Sequence, residues 1–264
     1  ILVDPTDDSE VAAFGVLPPS FDAWSRLQLW GGSFLGARLD VVEDTLTTAL
    51  ESVIPSSRMA LVDIHDSEYY LMENRAQDLD GNGFPIIRQD RTTGVILGPE
   101  ADSTLASGNT DGRFEYDALL PSGGLLVWHV DNAVLAYNLS IGDGLNTHLG
   151  RRGVKVIEAD AIEDQGRRNI GTAWDPFYAG NNTRFGPDTV PRTISNDGQN
   201  TRITIETDSP PGRFMNLRVR KGMGVRGWPI GLNEATTVSR LAPLDLTGDH
   251  HPELLFRAVQ SGKS

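Results

Sequence analysis

Residues 124–131, Gly-Leu-Leu-Val-Trp-His-Val-Asp, form a short and almost uninterrupted apolar run directly after the turn Pro121-Ser122-Gly123. A run of this length, with turn residues at its entry, predicts a strand buried on both faces rather than a helix. Glu68-Tyr69-Tyr70-Leu71-Met72-Glu73-Asn74-Arg75 is a second such run, ending in polar groups. The two are expected to pair as neighbours in one sheet. His129 and Asp131 then stand at the exit of the first, a place where a histidine and a carboxylate can act together or serve the fold.

The rest of the chain must supply the layers around that sheet. Its 264 residues suffice for one large or two medium domains with a real core. Lys and Arg number 23 against 36 Asp and Glu, a net charge of -13, which argues against nucleic acid or an anionic membrane surface as partner. With no cysteine there is no disulfide frame, thiolate zinc site or thiol nucleophile. No apolar run is long enough to span a bilayer, so no membrane span is expected. Ile1-Leu2-Val3-Asp4 reads like the inside of a folded segment, and we expect residues to precede it.

In chain order, Ser20 is placed to cap a helix beginning near Phe21, with Asp22 in its first turn where the helix dipole favours negative charge. Residues 34–42 and 45–53 read as strands, and a further strand covers 59–64. Residues 76–112, rich in Asp, Gly, Thr and Ser, read as an insertion carrying a hairpin over 84–97. Residues 133–150 are polar and glycine-bearing, and 154–160 form another strand. Short β elements punctuated by turns follow over 174–220, the spacing of a β-sandwich, with Ile203 and Ile205 facing inward. A boundary falls in the Gly-rich 221–231. The organisation expected is a mainly β chain with a few helices: a sandwich-like body over 1–220 and a separate C-terminal piece over 221–264.

Three acidic patterns suit a hard cation. Asp78, Asp80 and Asn82 place oxygens at alternate positions before glycines, the spacing that wraps calcium, although an ion-free Asp/Asn/Gly turn fits the same residues. Glu158 and Asp160 lie two apart on one strand face and could converge with Asp131, where calcium would offset the repulsion between them; the same carboxylates could instead face water separately. Asp245, Thr247 and Asp249, a glycine for the bend, and Glu253 opening a strand make a calcium-loop-plus-strand unit.

That last unit, Asp245-Leu-Thr-Gly-Asp followed by Pro252-Glu253-Leu254, resembles the FG-GAP/VCBS repeat of β-propellers, with Thr247 and His250 replacing the usual Asp and Gly. One repeat implies a partial propeller blade. A wider resemblance covers residues 1–220. Residues 18–26 (Pro-Pro-Ser-Phe-Asp-Ala-Trp-Ser-Arg), 68–75, Tyr116-Asp117, 124–131, Glu158-Ala159-Asp160 and Asp175-Pro176-Phe177 occur in that order. This set resembles the region after the zinc motif in the immune inhibitor A family of secreted bacterial metalloproteases. Leu29-Trp30-Gly31 departs from that family's Leu-Gly-Trp, and the 76–112 insertion is long.

The resemblance implies a secreted or cell-surface protein. It also implies a zincin domain of the same precursor as partner, a protein substrate or extracellular ligand, and zinc in the parent protein rather than in this chain. Family catalysis needs H-E-x-x-H on a helix, and His65, His129, His148, His250 and His251 do not form it. No catalytic residue is assigned, and the chain is expected to be inactive alone. No Gly-x-Ser-x-Gly elbow or phosphate-binding fingerprint occurs. Three readings follow: the post-catalytic scaffold of a zinc metalloprotease, a calcium-dependent extracellular binding or adhesion module, and an independent hydrolase using His129 and Asp131.

Overall fold

The computed structural model describes residues 2–3, 10–11, 20–30, 38–81, 83, 87–89, 92, 96–99, 115–146, 148, 150–163, 171–222, 236–244 and 253–260. Two compact units divide the chain, Ile1–Gly224 and Val225–Ser264. The described residues are mainly β with three helices.

In the first unit β1 (Leu2–Val3) pairs antiparallel with β2 (Glu10–Val11). Helix α1 (Ala23–Trp30), β3 (Arg38–Val42), β4 (Thr45–Glu51), the short α2 (Val53–Ser56), β5 (Arg58–His65) and β6 (Glu68–Arg75) follow. The antiparallel pair β7 (Ile87–Gln89) and β8 (Ile96–Pro99) lies within the expected insertion. Then come β9 (Gly124–Asp131), α3 (Asn132–Ser140), β10 (Val154–Val156), β11 (Arg184–Phe185), β12 (Ile203–Glu206) and β13 (Phe214–Lys221).

These strands build a five-stranded sheet in the order β10-β9-β6-β5-β3 and a four-stranded sheet in the order β11-β12-β13-β4. The expected pairing of β6 with β9 holds in antiparallel register from Glu68 opposite Asp131 to Arg75 opposite Gly124. All eight residues of β6 are buried, as the middle strand of a sheet covered on both faces requires. Successive side chains point to opposite faces, so Tyr70 and Met72 join the core shared with the four-stranded sheet, while Tyr69 and Leu71 join a second core with Ala23 of α1 and Leu135 of α3. β13 alternates exposed and buried residues, with Met215, Leu217 and Val219 inward. Ile203 and Ile205 are buried, as their alternation predicts.

β3 and β5 run parallel, whereas every other pair in the five-stranded sheet is antiparallel. Parallel neighbours need a crossover. Here the crossover is β4, which joins the other sheet opposite β13, followed by α2. One connection thereby ties both sheets.

Several expected elements shift. The α1 cap is Asp22, whose Oδ1 accepts the Ser25 amide at 2.9 Å; Ser20 is engaged elsewhere. α3 occupies part of the stretch read as polar and glycine-bearing. β10 ends at Val156, leaving Glu158 and Asp160 beyond it, and Thr189–Ser195 forms isolated bridges rather than a strand.

In the second unit β14 (Thr236–Leu244) and β15 (Glu253–Gln260) pair antiparallel. Asp245, Thr247 and Asp249 lie outside the described residues, as does Asn82, and Glu253 opens β15.

Candidate functional site

The polar end of β6 anchors a buried charge network. Glu73 and Arg75 share the face that bears α1. Arg75 is ion-paired at 3.1 Å to both Glu73 Oε1 and Asp117 Oδ2. It also donates to the carbonyls of Ser20 (3.0 Å) and Phe21 (2.8 Å) and to Ser20 Oγ. Asp117 Oδ1 accepts the Ser20 amide at 3.0 Å, Arg26 Nε donates to the Phe21 carbonyl, and Trp128 Nε1 donates to Glu73 Oε1 at 2.9 Å. Glu73, Arg75, Asp117 and Arg26 are all buried, and burial above all raises the Glu73 pKa above its ordinary value. Burial, and then the neighbouring Arg75, lower the Arg26 pKa below its ordinary value. A cavity of about 370 Å³ opens beside the network, lined in part by Phe21, Leu126, Trp128 and Pro176.

On the opposite face, Glu68 collects two histidines. Its Oε2 lies 2.5 Å from His65 Nε2, and its Oε1 lies 2.5 Å from His129 Nε2 and 2.6 Å from the Asn196 amide, which donates to it. Glu68 is 1% exposed. Tyr70 packs on the His129 ring at 5.0 Å between centroids and donates its hydroxyl to the Ile194 carbonyl. Burial and the neighbouring Glu68 raise the Tyr70 pKa. Beside this cluster is a cavity of about 610 Å³, lined in part by Arg152, Lys155, Glu158, Arg192 and Asn196. His129 is thus held by Glu68, not by Asp131.

Asp131 has structural work of its own. Its Oδ1 accepts the amides of Ala133 and Val134 at 3.0 and 3.1 Å, capping α3, and its Oδ2 accepts from Asn196 Nδ2 at 2.8 Å. A side-chain oxygen at this position satisfies amides the helix cannot. The expected convergence of Asp131 with Glu158 and Asp160 is replaced by a group of Glu158, Asp160 and Asp175, one oxygen of each lying within 4.8 Å of the others. Asp175 also accepts from Thr172 N and Oγ1 at 2.8 and 2.9 Å.

Asp78 and Asp80 are brought together with a residue that spacing did not reveal, Glu115, again with one oxygen of each within 4.8 Å. Glu115 is fully buried; its Oε1 accepts the Leu79 amide at 2.8 Å, and its Oε2 has no hydrogen-bond partner among the described residues. Burial foremost, with the charges of Asp80 and Asp78 adding, pushes its carboxyl up to about 7. His148, the remaining described histidine, pairs with Asp143 at 3.2 Å on the surface. Comparison of the chain with protein-family models, curated proteins and solved structures gives no match.

Proposed function

We propose that residues 1–220 form a β-sandwich-like, non-catalytic body that scaffolds the zinc peptidase domain of a secreted metalloprotease of the immune inhibitor A type. The second unit would open a propeller of FG-GAP/VCBS type. The observation that carries this reading is the buried network around Arg75. Segments on which the resemblance rests, residues 20–26, 73–75, 117 and 128, are far apart in sequence and meet there through direct hydrogen bonds.

The network's chemistry is that of a clamp. Arg75 is ion-paired to Glu73 and Asp117 and donates to the Ser20 and Phe21 carbonyls, so its role is positional, and what it positions is the Ser20–Phe21 backbone at the entry to α1. The Phe21 ring, 56% exposed above a clamped backbone, offers a neighbouring domain a fixed apolar contact beside the 370 Å³ cavity.

The test is casein hydrolysis by the chain with added zinc, alongside a reading of the coding sequence upstream of Ile1. No hydrolysis, and an H-E-x-x-H motif upstream, is the expected result. Chelator-sensitive proteolysis by the chain itself would overturn the reading. The convergence of Asp78, Asp80 and Glu115 favours the alternative of a calcium-dependent extracellular binding module; calcium-dependent capture of a glycan or protein ligand, with no peptidase motif upstream, would select it.

A further inference from the structure

The segment after β6 turns back on itself at Asp78. The amides of Gly81 and Gly83 donate to the two oxygens of Asp78 at 2.7 and 2.8 Å, and both glycines hold left-handed backbone, with φ of 77° and 87°. Leu79, 4% exposed, anchors the turn in the interior. Glu115 reaches this turn from 36 residues beyond Leu79, across the whole expected insertion.

Glu115 poses a problem that the described residues leave unsolved. Its Oε1 is satisfied by the Leu79 amide, yet Oε2, on a residue 0% exposed, has no hydrogen-bond partner among the described residues. A buried carboxylate oxygen without a donor is costly, and placing it among two other carboxylates adds repulsion. A proton on Oε2 would remove the charge of Glu115 but would leave the carboxylates of Asp78 and Asp80 side by side. A divalent cation between the three carboxylates answers both demands, because it supplies positive charge to the buried Glu115 carboxylate and needs several oxygens at once.

We propose that Asp78, Asp80 and Glu115 bind a calcium ion, with Glu115 as the long-range ligand that fastens the two ends of the 76–112 segment together. Calcium fits better than magnesium. It accepts an irregular, all-oxygen shell with carboxylates well apart, whereas magnesium demands near-octahedral geometry and keeps much of its water. The site joins residues distant in sequence, so the ion would lock a long excursion onto the end of β6.

The experiment uses the full chain stripped of metal and titrated with calcium chloride, followed by calorimetry and thermal melting, with magnesium chloride as comparison. The wild type is expected to bind calcium in the range of about 10⁻⁵ to 10⁻³ M and to melt higher when loaded. Glu115→Gln, which keeps the shape and removes the charge, is expected to melt no lower than the metal-free wild type and to lose about tenfold or more in calcium affinity. Asp80→Asn, a less buried position, is expected to show the same loss and carries the test if Glu115→Gln fails to fold. A wild-type melting point indifferent to millimolar calcium overturns the proposal. So does calcium binding of unchanged strength in folded variants, which would place the ion elsewhere in the chain.

Discussion

At the scale of single residues, Glu115 makes the fold's stability depend on pH in an unusual direction. Its carboxyl is raised from the usual 4.5 to about 7, so between those values the folded chain holds a proton that the unfolded chain has released. Stability therefore falls as pH rises through this window and levels off above it. With chelator present, the melting temperature of the wild type relative to Glu115→Gln is expected to drop between pH 5 and pH 8 by roughly the equivalent of 1–3 kcal/mol. A difference that stays flat, or rises, would show that the carboxyl ionises freely in the fold. Sequence spacing made Asp78 and Asp80 legible as possible ligands, because alternate oxygens before glycine are a local pattern. Glu115 carries no such mark; only the return of the chain to Leu79 gives it a role.

At the scale of elements, the polar end of β9 was readable and its purpose was not. The apolar run announces a buried strand, and the structure keeps it from Gly124 to Asp131. Helix α3 was missed because its cap is the last residue of that strand, so the usual start signal sits inside another element. The same economy removes Asp131 from the acidic group. Asp131→Ala is expected to cost about 1–2 kcal/mol, the loss of two capped amides, while leaving calcium affinity at the Asp78 turn unchanged. Urea unfolding with a parallel calcium titration checks both halves. A neutral effect on stability would mean that Asp131 is not needed to start α3. Capping also accounts for α1: both Ser20 and Asp22 can cap, and Arg75 with Asp117 claims Ser20, leaving Asp22 to do it.

At the scale of the whole first unit, the three residues Glu73-Asn74-Arg75 act on both sides of one sheet. Because strand side chains alternate, Glu73 and Arg75 hold the α1 side while Asn74 points to the four-stranded sheet. Asn74 Nδ2 donates to the carbonyls of Leu50, Gly212 and Arg213, each at 3.0 Å, joining the end of β4 to the approach to β13. The individual strands could be read from alternation and turn residues, but the partition into two sheets could not. It follows from the parallel β3–β5 pair, which forces β4 across, and no local pattern encodes a pairing between residues 45–51 and 214–220. Asn74 is where that non-local arrangement is secured. Asn74→Ala would remove the amide that these three carbonyls share, the Arg213 carbonyl keeping the Ser52 amide at 2.6 Å, at a cost of about 1–3 kcal/mol. The loss should be directional: amide exchange should accelerate in β4 and β13 while α1 and the Arg75 clamp stay protected, since they depend on the other face. Uniform acceleration across both faces would instead mean that the two layers open as one cooperative unit, with the tripeptide holding them jointly rather than one each.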